Sequence, residues 1–100
     1  MITSIQLYWR PGCPFCVALR RRLRRSGIPV EEINIWEEPQ AAARVREVAG
    51  GNETVPTVFV GQDALVNPSL KAIEAVLRET APHLLEQQAG RSRRRIWPFR

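Results

Sequence analysis

The sequence predicts a compact α/β layer fold, with elements in the order β-α-β-α-β-β-α over residues 1–88. Three observations carry that expectation. Apolar Ile5, Leu7 and Trp9 alternate with Gln6 and Tyr8, the period of a strand. An arginine- and leucine-rich helical stretch and a second β-branched run follow, which makes a βαβ unit with parallel pairing and a right-handed crossover. Proline and glycine stand where helices should begin and end.

After the first strand comes the loop Arg10-Pro11-Gly12, and Cys13-Pro14 then opens a helix. Proline is tolerated in that first turn because its missing N–H would have had no intrahelical partner. Val17, Leu19 and Leu23 give the helix its apolar side, and Ser26-Gly27 ends it, with Gly27 placed for a left-handed cap and Pro29 forbidding continuation. Val30 to Ile35 reads as the second strand, supported by Val30, Ile33 and Ile35. Pro39 starts a second helix through Val48, stopped by Gly50-Gly51. Thr57-Val58-Phe59-Val60 is a short third strand, and Gly61-Gln62-Asp63 turns it into a fourth, Ala64-Leu65-Val66. Asn67 is placed to cap the last helix with Pro68 as its first residue; Leu70, Ile73, Val76 and Leu77 supply its buried face, and Thr80-Ala81-Pro82 ends it.

One hundred residues suffice for one domain, and 44% hydrophobic residues suit one modest core. No apolar run is long enough to span a bilayer, and no basic region precedes an apolar block at Met1-Ile2-Thr3-Ser4-Ile5. The expected location is therefore the cytoplasm, a reducing compartment where two cysteines are more often chemical than structural. The net charge of +5 belongs to one end: residues 89–100 hold five arginines and no acid, which leaves ten basic and ten acidic residues in 1–88. That end, running from Arg91 to Arg100 through Ile96, Trp97 and Phe99, reads as a disordered basic tail, with docking to an acidic partner, an anionic membrane or nucleic acid as its livelier options. Arg20, Arg21, Arg22, Arg24 and Arg25 crowd the first helix, most simply as a solvated face, otherwise as a docking surface for an acidic protein.

The chemistry concentrates at Cys13-Pro14-Phe15-Cys16, at a strand-to-helix junction. Unpaired N–H groups and the helix dipole favour an anion there, so the first thiol is expected to ionise easily and act as the nucleophile in disulfide exchange. Arg10, three residues earlier, is placed to add positive potential, although its side chain has solvent as an alternative. Cys16, one turn on, is expected to be less exposed and less acidic, and close enough to attack a mixed disulfide on Cys13. A zinc half-site, a structural disulfide and a pair of inert core residues are the competing readings; zinc needs four ligands, and His83 alone remains. His83 otherwise reads as an ordinary post-helix residue.

Tyr8-Trp9-Arg10-Pro11-Gly12-Cys13-Pro14-Phe15-Cys16, together with Thr54-Val55-Pro56-Thr57-Val58, resembles the glutaredoxins over residues 4–80. The resemblance implies a thioredoxin-like fold with a four-stranded mixed sheet, and Pro56 cis beside the cysteines. It implies a thiol–disulfide oxidoreductase with Cys13 as nucleophile and Cys16 as resolving thiol. The expected thiol-binding surface comprises Arg10, Pro14, Phe15, Thr54, Val55, Pro56 and Asn67, with Val55 offering its backbone to an extended thiol substrate. No metal or bound prosthetic group is expected; the cosubstrate is a low-molecular-weight thiol, and the partners are disulfide-containing or thiol-capped proteins met by a monomer.

Within the family, Gly50 to Thr57 and Leu65-Val66-Asn67-Pro68-Ser69 look most like the mycoredoxins, which use mycothiol. Glutathione-using relatives commonly carry a glycine followed by acidic residues where this chain reads Val66-Asn67-Pro68-Ser69, so mycothiol is favoured over glutathione. Two alternatives stay open: a redoxin reduced directly by a thioredoxin-type reductase and serving ribonucleotide reductase, and a non-catalytic adaptor with a redoxin fold. Trp9 is expected in the core and Trp36 over the sheet edge, while Phe15 reads equally as a groove residue or a plain surface aromatic.

Overall fold

The two most apolar strands take the middle of the sheet, where both faces are covered. In the computed structural model, which describes residues 2–85, these are β1 (Ile5–Trp9) and β3 (Thr57–Val60), flanked by β2 (Val30–Asn34) and β4 (Asp63–Val66) in the order β2-β1-β3-β4. β1 runs parallel to β2, with Ile5 opposite Val30 and Trp9 opposite Asn34. β3 is antiparallel to both β1 and β4, pairing Tyr8 with Thr57 and Thr57 with Val66. The sheet is therefore mixed, and the fold is the thioredoxin-like one that the resemblance implies.

Strand alternation divides the core into two layers. Ile5, Leu7, Val58 and Val60 face α1 (Pro14–Ser26) and α3 (Leu70–Thr80), and pack with Leu19, Leu23, Ile73 and Leu77. Their neighbours Tyr8 and Phe59 face the other way and pack with Ile35 and with Ala41, Ala42 and Val45 of α2 (Pro39–Val48). Arg44, also on α2, lies 4.0 Å above the Phe59 ring and donates to Gln6 Oε1 and Tyr8 Oη, so its stem and charge close this layer.

Both ends of α1 follow the sequence closely. Cys13 is the N-cap and Pro14 the first helical residue, and Gly27 closes the helix at φ 82°, a conformation that costs glycine little. The buried stripe, however, is Cys16, Leu19 and Leu23, and Val17 is 49% exposed rather than apolar packing. Helical spacing explains the difference, because Cys16, Leu19 and Leu23 sit at i, i+3 and i+7 and Val17 is turned off that line.

The start of α3 also departs from expectation. Ser69, not Asn67, is the N-cap, its Oγ accepting from the Ala72 N–H at 3.1 Å, and Pro68 lies before the helix. Asn67 has φ 52° and donates its N–H to the Pro56 carbonyl at 2.7 Å. An N-cap needs extended backbone, so this left-handed residue cannot serve as one, and the chain turns once more before the helix begins. Beyond Thr80 a further helical turn covers 82–85, and Leu84 is fully buried with α1 and α3. His83 donates from Nε2 to the Ile2 carbonyl at 2.6 Å and so ties this turn to the start of the chain.

Trp9 is half-buried under the Arg20 guanidinium, which lies 3.9 Å above its ring. Trp36 is 64% exposed and does not cover the sheet edge, since β2 stops at Asn34 and the chain has already turned away. No helix among the described residues is long and apolar enough to cross a membrane. The basic tail expected over residues 89–100 lies outside the described residues.

Candidate active site

Three chain segments meet at one end of the sheet: the end of β1, the first turn of α1, and the loop that enters β3. The Tyr8–Thr57 pairing brings them together, because β1 finishes where antiparallel β3 starts. Cys13 sits at the junction in extended conformation, φ −102° and ψ 109°. Its Sγ accepts from the Cys16 N–H at 3.4 Å, as an N-cap side chain does. Its own thiol points to the Val55 carbonyl, 3.8 Å away, across the cleft. Cys13 is 5% exposed and Cys16 1%, so both are shielded and Cys16 the more so.

The two thiols are driven in opposite directions. Burial pushes the Cys13 thiol up, but hydrogen bonds from the Cys16 thiol and from the Cys16 and Phe15 N–H groups, with the Arg10 charge, outweigh it and hold Cys13 below the ordinary value. Burial likewise pushes Cys16 up, and its hydrogen bond to Cys13 adds to this, so it reaches about 11. As pH rises the first sulfur ionises well before the second, which is the division of labour that exchange chemistry needs.

The facing loop is pinned carbonyl by carbonyl. The Thr57 hydroxyl donates to the Thr54 carbonyl at 2.7 Å, the Cys13 thiol meets that of Val55, and the Asn67 N–H donates to that of Pro56. The Val55–Pro56 peptide bond is cis. Pro56 and Thr57 are fully buried, while Thr54 and Val55 are half-buried. Thr57→Val keeps the shape and removes the hydroxyl, leaving the Thr54 carbonyl without its donor. The expected result is a loss of about 1–2 kcal/mol, a melting temperature lower by several degrees, and slower exchange, with Thr57→Ser recovering most of it. Unchanged melting and activity in Thr57→Val would show that this hydroxyl does not hold the loop.

Of the residues expected at the site, Cys13, Cys16, Val55 and Pro56 converge, and Thr54 closes the loop through its backbone. Arg10 acts by charge on Cys13 and lies 6.0 Å from the Trp36 ring centroid. Pro14 is exposed at the first helical position, Phe15 is 68% exposed, and Asn67 reaches the loop by its backbone N–H. Two further residues bear on the site: Thr57, quoted in the loop motif but without a role until its hydroxyl reaches the Thr54 carbonyl, and Trp36, expected over the sheet edge and found beside Arg10. Their visible signals were a hydroxyl directly after Pro56 and an aromatic directly after a strand.

The Glutaredoxin family model matches residues 5–65, a span that holds both cysteines and the Pro56 loop. The chain belongs to the glutaredoxin family. Glutaredoxins are in general thiol–disulfide oxidoreductases that take a low-molecular-weight thiol as cosubstrate and act on disulfide-containing proteins. A glutaredoxin-type protein of Mycobacterium tuberculosis is 37% identical over 83 residues, which is 81% of this chain and 99% of that protein. Among solved structures, the glutaredoxin-like NrdH-redoxin of Escherichia coli is 29% identical at a TM-score of 0.62, covering 73% of this chain and 93% of that one. The glutaredoxin of Brucella melitensis is 28% identical at a TM-score of 0.61, covering 85% of this chain and 92% of that one.

Proposed function

We propose that this glutaredoxin-family chain reduces mixed disulfides between proteins and a low-molecular-weight thiol, mycothiol in preference to glutathione, as a monomer in the cytoplasm. The observation that carries the reading is the paired thiols: a shielded Cys13 held below the ordinary thiol value at a helix N-cap, and Cys16 held above it one turn away. The Cys13 thiolate attacks the small-thiol sulfur of the mixed disulfide. The protein thiol leaves, and Cys13 is left joined to the small thiol. A second small thiol then attacks that sulfur, so that Cys13 is freed and a small-thiol disulfide departs. Alternatively Cys16 gives up its proton and attacks Cys13, releasing the small thiol and leaving a Cys13–Cys16 disulfide for later reduction. Val55 and Pro56 form the platform along which the substrate lies, and Arg10 raises the potential at the nucleophile.

One feature supports mycothiol. The stretch Val66-Asn67-Pro68-Ser69 presents no carboxylate where glutathione-using relatives commonly carry acidic residues, and its Asn67 N–H is already bound to Pro56. A second reading, a redoxin reduced directly by a thioredoxin-type reductase and donating to ribonucleotide reductase, is favoured by the likeness to NrdH-redoxin, which is described as having a thioredoxin-like activity profile. One experiment separates them: supply the protein with a mycothiol mixed disulfide and, in turn, mycothiol, glutathione or a thioredoxin reductase as electron source. Fast turnover with mycothiol alone is the expected result. Turnover with the reductase alone selects the second reading, and no turnover with any source, in a folded protein that binds disulfide partners, leaves an adaptor.

A further inference from the structure

The outer face of α1 is not a featureless solvated surface. Val17, Arg20, Arg21, Arg24 and Arg25 line a shallow groove of about 450 Å³ beside the edge strand β2. Glu32 of β2 lies beneath it and accepts from both Arg20 and Arg24, each through Nε and Nη2 at 2.9–3.1 Å. Arg20 is fixed further by stacking on Trp9. One carboxylate thus orients two guanidiniums and neutralises only one, so the groove keeps a net positive charge on side chains that have already lost much of their freedom. Fixing such donors in advance lowers the ordering cost of binding an anion. The groove begins at Val17, the residue after Cys16, and runs from the cysteine end of α1 toward its C-terminus.

We infer that this groove is a docking site for an acidic segment of a protein partner, one rich in Asp and Glu. The charge complementarity sets the chemistry. Its place on the helix that Cys13 caps favours a protein over a nucleic acid, since a protein seated along α1 can extend a disulfide toward the helix end; that selection rests on the exchange activity proposed above. An exposed valine at the near end of the groove adds apolar contact that a phosphate backbone would leave unused. The role of the groove is selection and orientation: acidic partners associate faster and with their disulfides turned toward Cys13, without any change in the exchange step itself.

The test keeps docking apart from redox chemistry. A labelled Asp/Glu-rich peptide without cysteine is titrated with the reduced full chain, and binding is followed by fluorescence anisotropy at low salt and at ~0.5 M salt, where exposed charges are strongly screened. Two reversals of equal charge are compared. Arg21→Glu lies in the groove, and Arg22→Glu is exposed on the same helix but outside it. Arg21→Glu is expected to weaken binding about tenfold at low salt and Arg22→Glu about twofold or less, with the difference vanishing at high salt. A version of that peptide with one added cysteine, presented as a mixed disulfide with a small thiol, should be reduced faster than an uncharged cysteine peptide by the wild type but not by Arg21→Glu. Reduction of a small uncharged disulfide should be the same in all three proteins. Equal weakening by the two reversals would mean that only net charge acts, and would overturn the site. Tighter, Arg21-dependent binding of a single-stranded oligonucleotide at matched salt would overturn the partner class. If no disulfide is reduced while the peptide still binds through Arg21, the exchange reading fails and the docking site stands.

Discussion

Cys13→Ser will lose reduction of mixed disulfides and of protein disulfides alike, by on the order of a thousandfold or more, because the only favoured thiolate is gone and serine does not ionise near neutral pH. Cys16→Ser will keep turnover on a mixed disulfide within several-fold of the wild type and lose protein disulfides that need two thiols. The asymmetry follows from position. Cys13 caps α1, accepts the Cys16 N–H and faces the Val55 carbonyl, whereas Cys16 points into the fold with 1% of its surface exposed. On a mixed disulfide the small thiol in solution can do what Cys16 does. On a protein disulfide the intermediate stays joined to Cys13 until a thiol within the same chain displaces it. A steady-state assay with a small mixed disulfide and with a disulfide-bonded protein, run on both variants, decides the point. Equal loss by both variants on the mixed disulfide would overturn the assignment of nucleophile and resolver.

How far the sequence could be read depends on how local the determinant was. The βαβ start, the Pro14 and Gly27 ends of α1 and the run of α2 were legible because each is set by neighbours along the chain: a strand period, a missing N–H, a left-handed cap. The cysteine chemistry was legible for the same reason, since the N-cap is a local feature. What resisted was set across the fold. Asn67 looks like a cap until its N–H is claimed by Pro56, on the neighbouring strand's entry loop. Thr57 looks like any strand threonine until the loop folds back and puts the Thr54 carbonyl against its hydroxyl. Val17 looks buried until Cys16 takes the inward position. The arginines of α1 look uniformly solvated until Glu32, from a strand, gathers two of them and Trp9 takes the face of one. Val17 apart, which helical spacing alone turns outward, a long-range partner decided in each case between two local options that the chain alone held equally open.

Replacing Cys16 by alanine will raise the Cys13 pKa, and replacing it by serine will raise it less. Burial pushes Cys13 up, and the strongest of the influences that bring it below the ordinary value is the hydrogen bond donated by the Cys16 thiol, ahead of the backbone N–H groups and of Arg10. Alanine removes that donor and serine supplies another, so the order follows, and Arg10→Gln should move the value less than Cys16→Ala does. A higher pKa leaves less thiolate at a given pH, but a more basic thiolate is a better nucleophile, with a Brønsted slope of roughly 0.4–0.5, so part of the loss in rate is offset. Thiolate absorbance against pH reads the shift directly. Stability carries a matching signature. Cys13, depressed by folding, contributes stability that is present above the unfolded thiol value and is lost as pH falls through the folded one. Cys16, raised to about 11, contributes stability that is present below the unfolded value and is lost as pH climbs from the ordinary 9.0 toward 11. The thiols' joint contribution to the reduced protein therefore peaks near the ordinary thiol value, and the alkaline fall belongs to Cys16 and should shrink in Cys16→Ala. An unchanged or lower Cys13 pKa in Cys16→Ala would mean that the helix end and Arg10 hold the thiolate without help from the second cysteine.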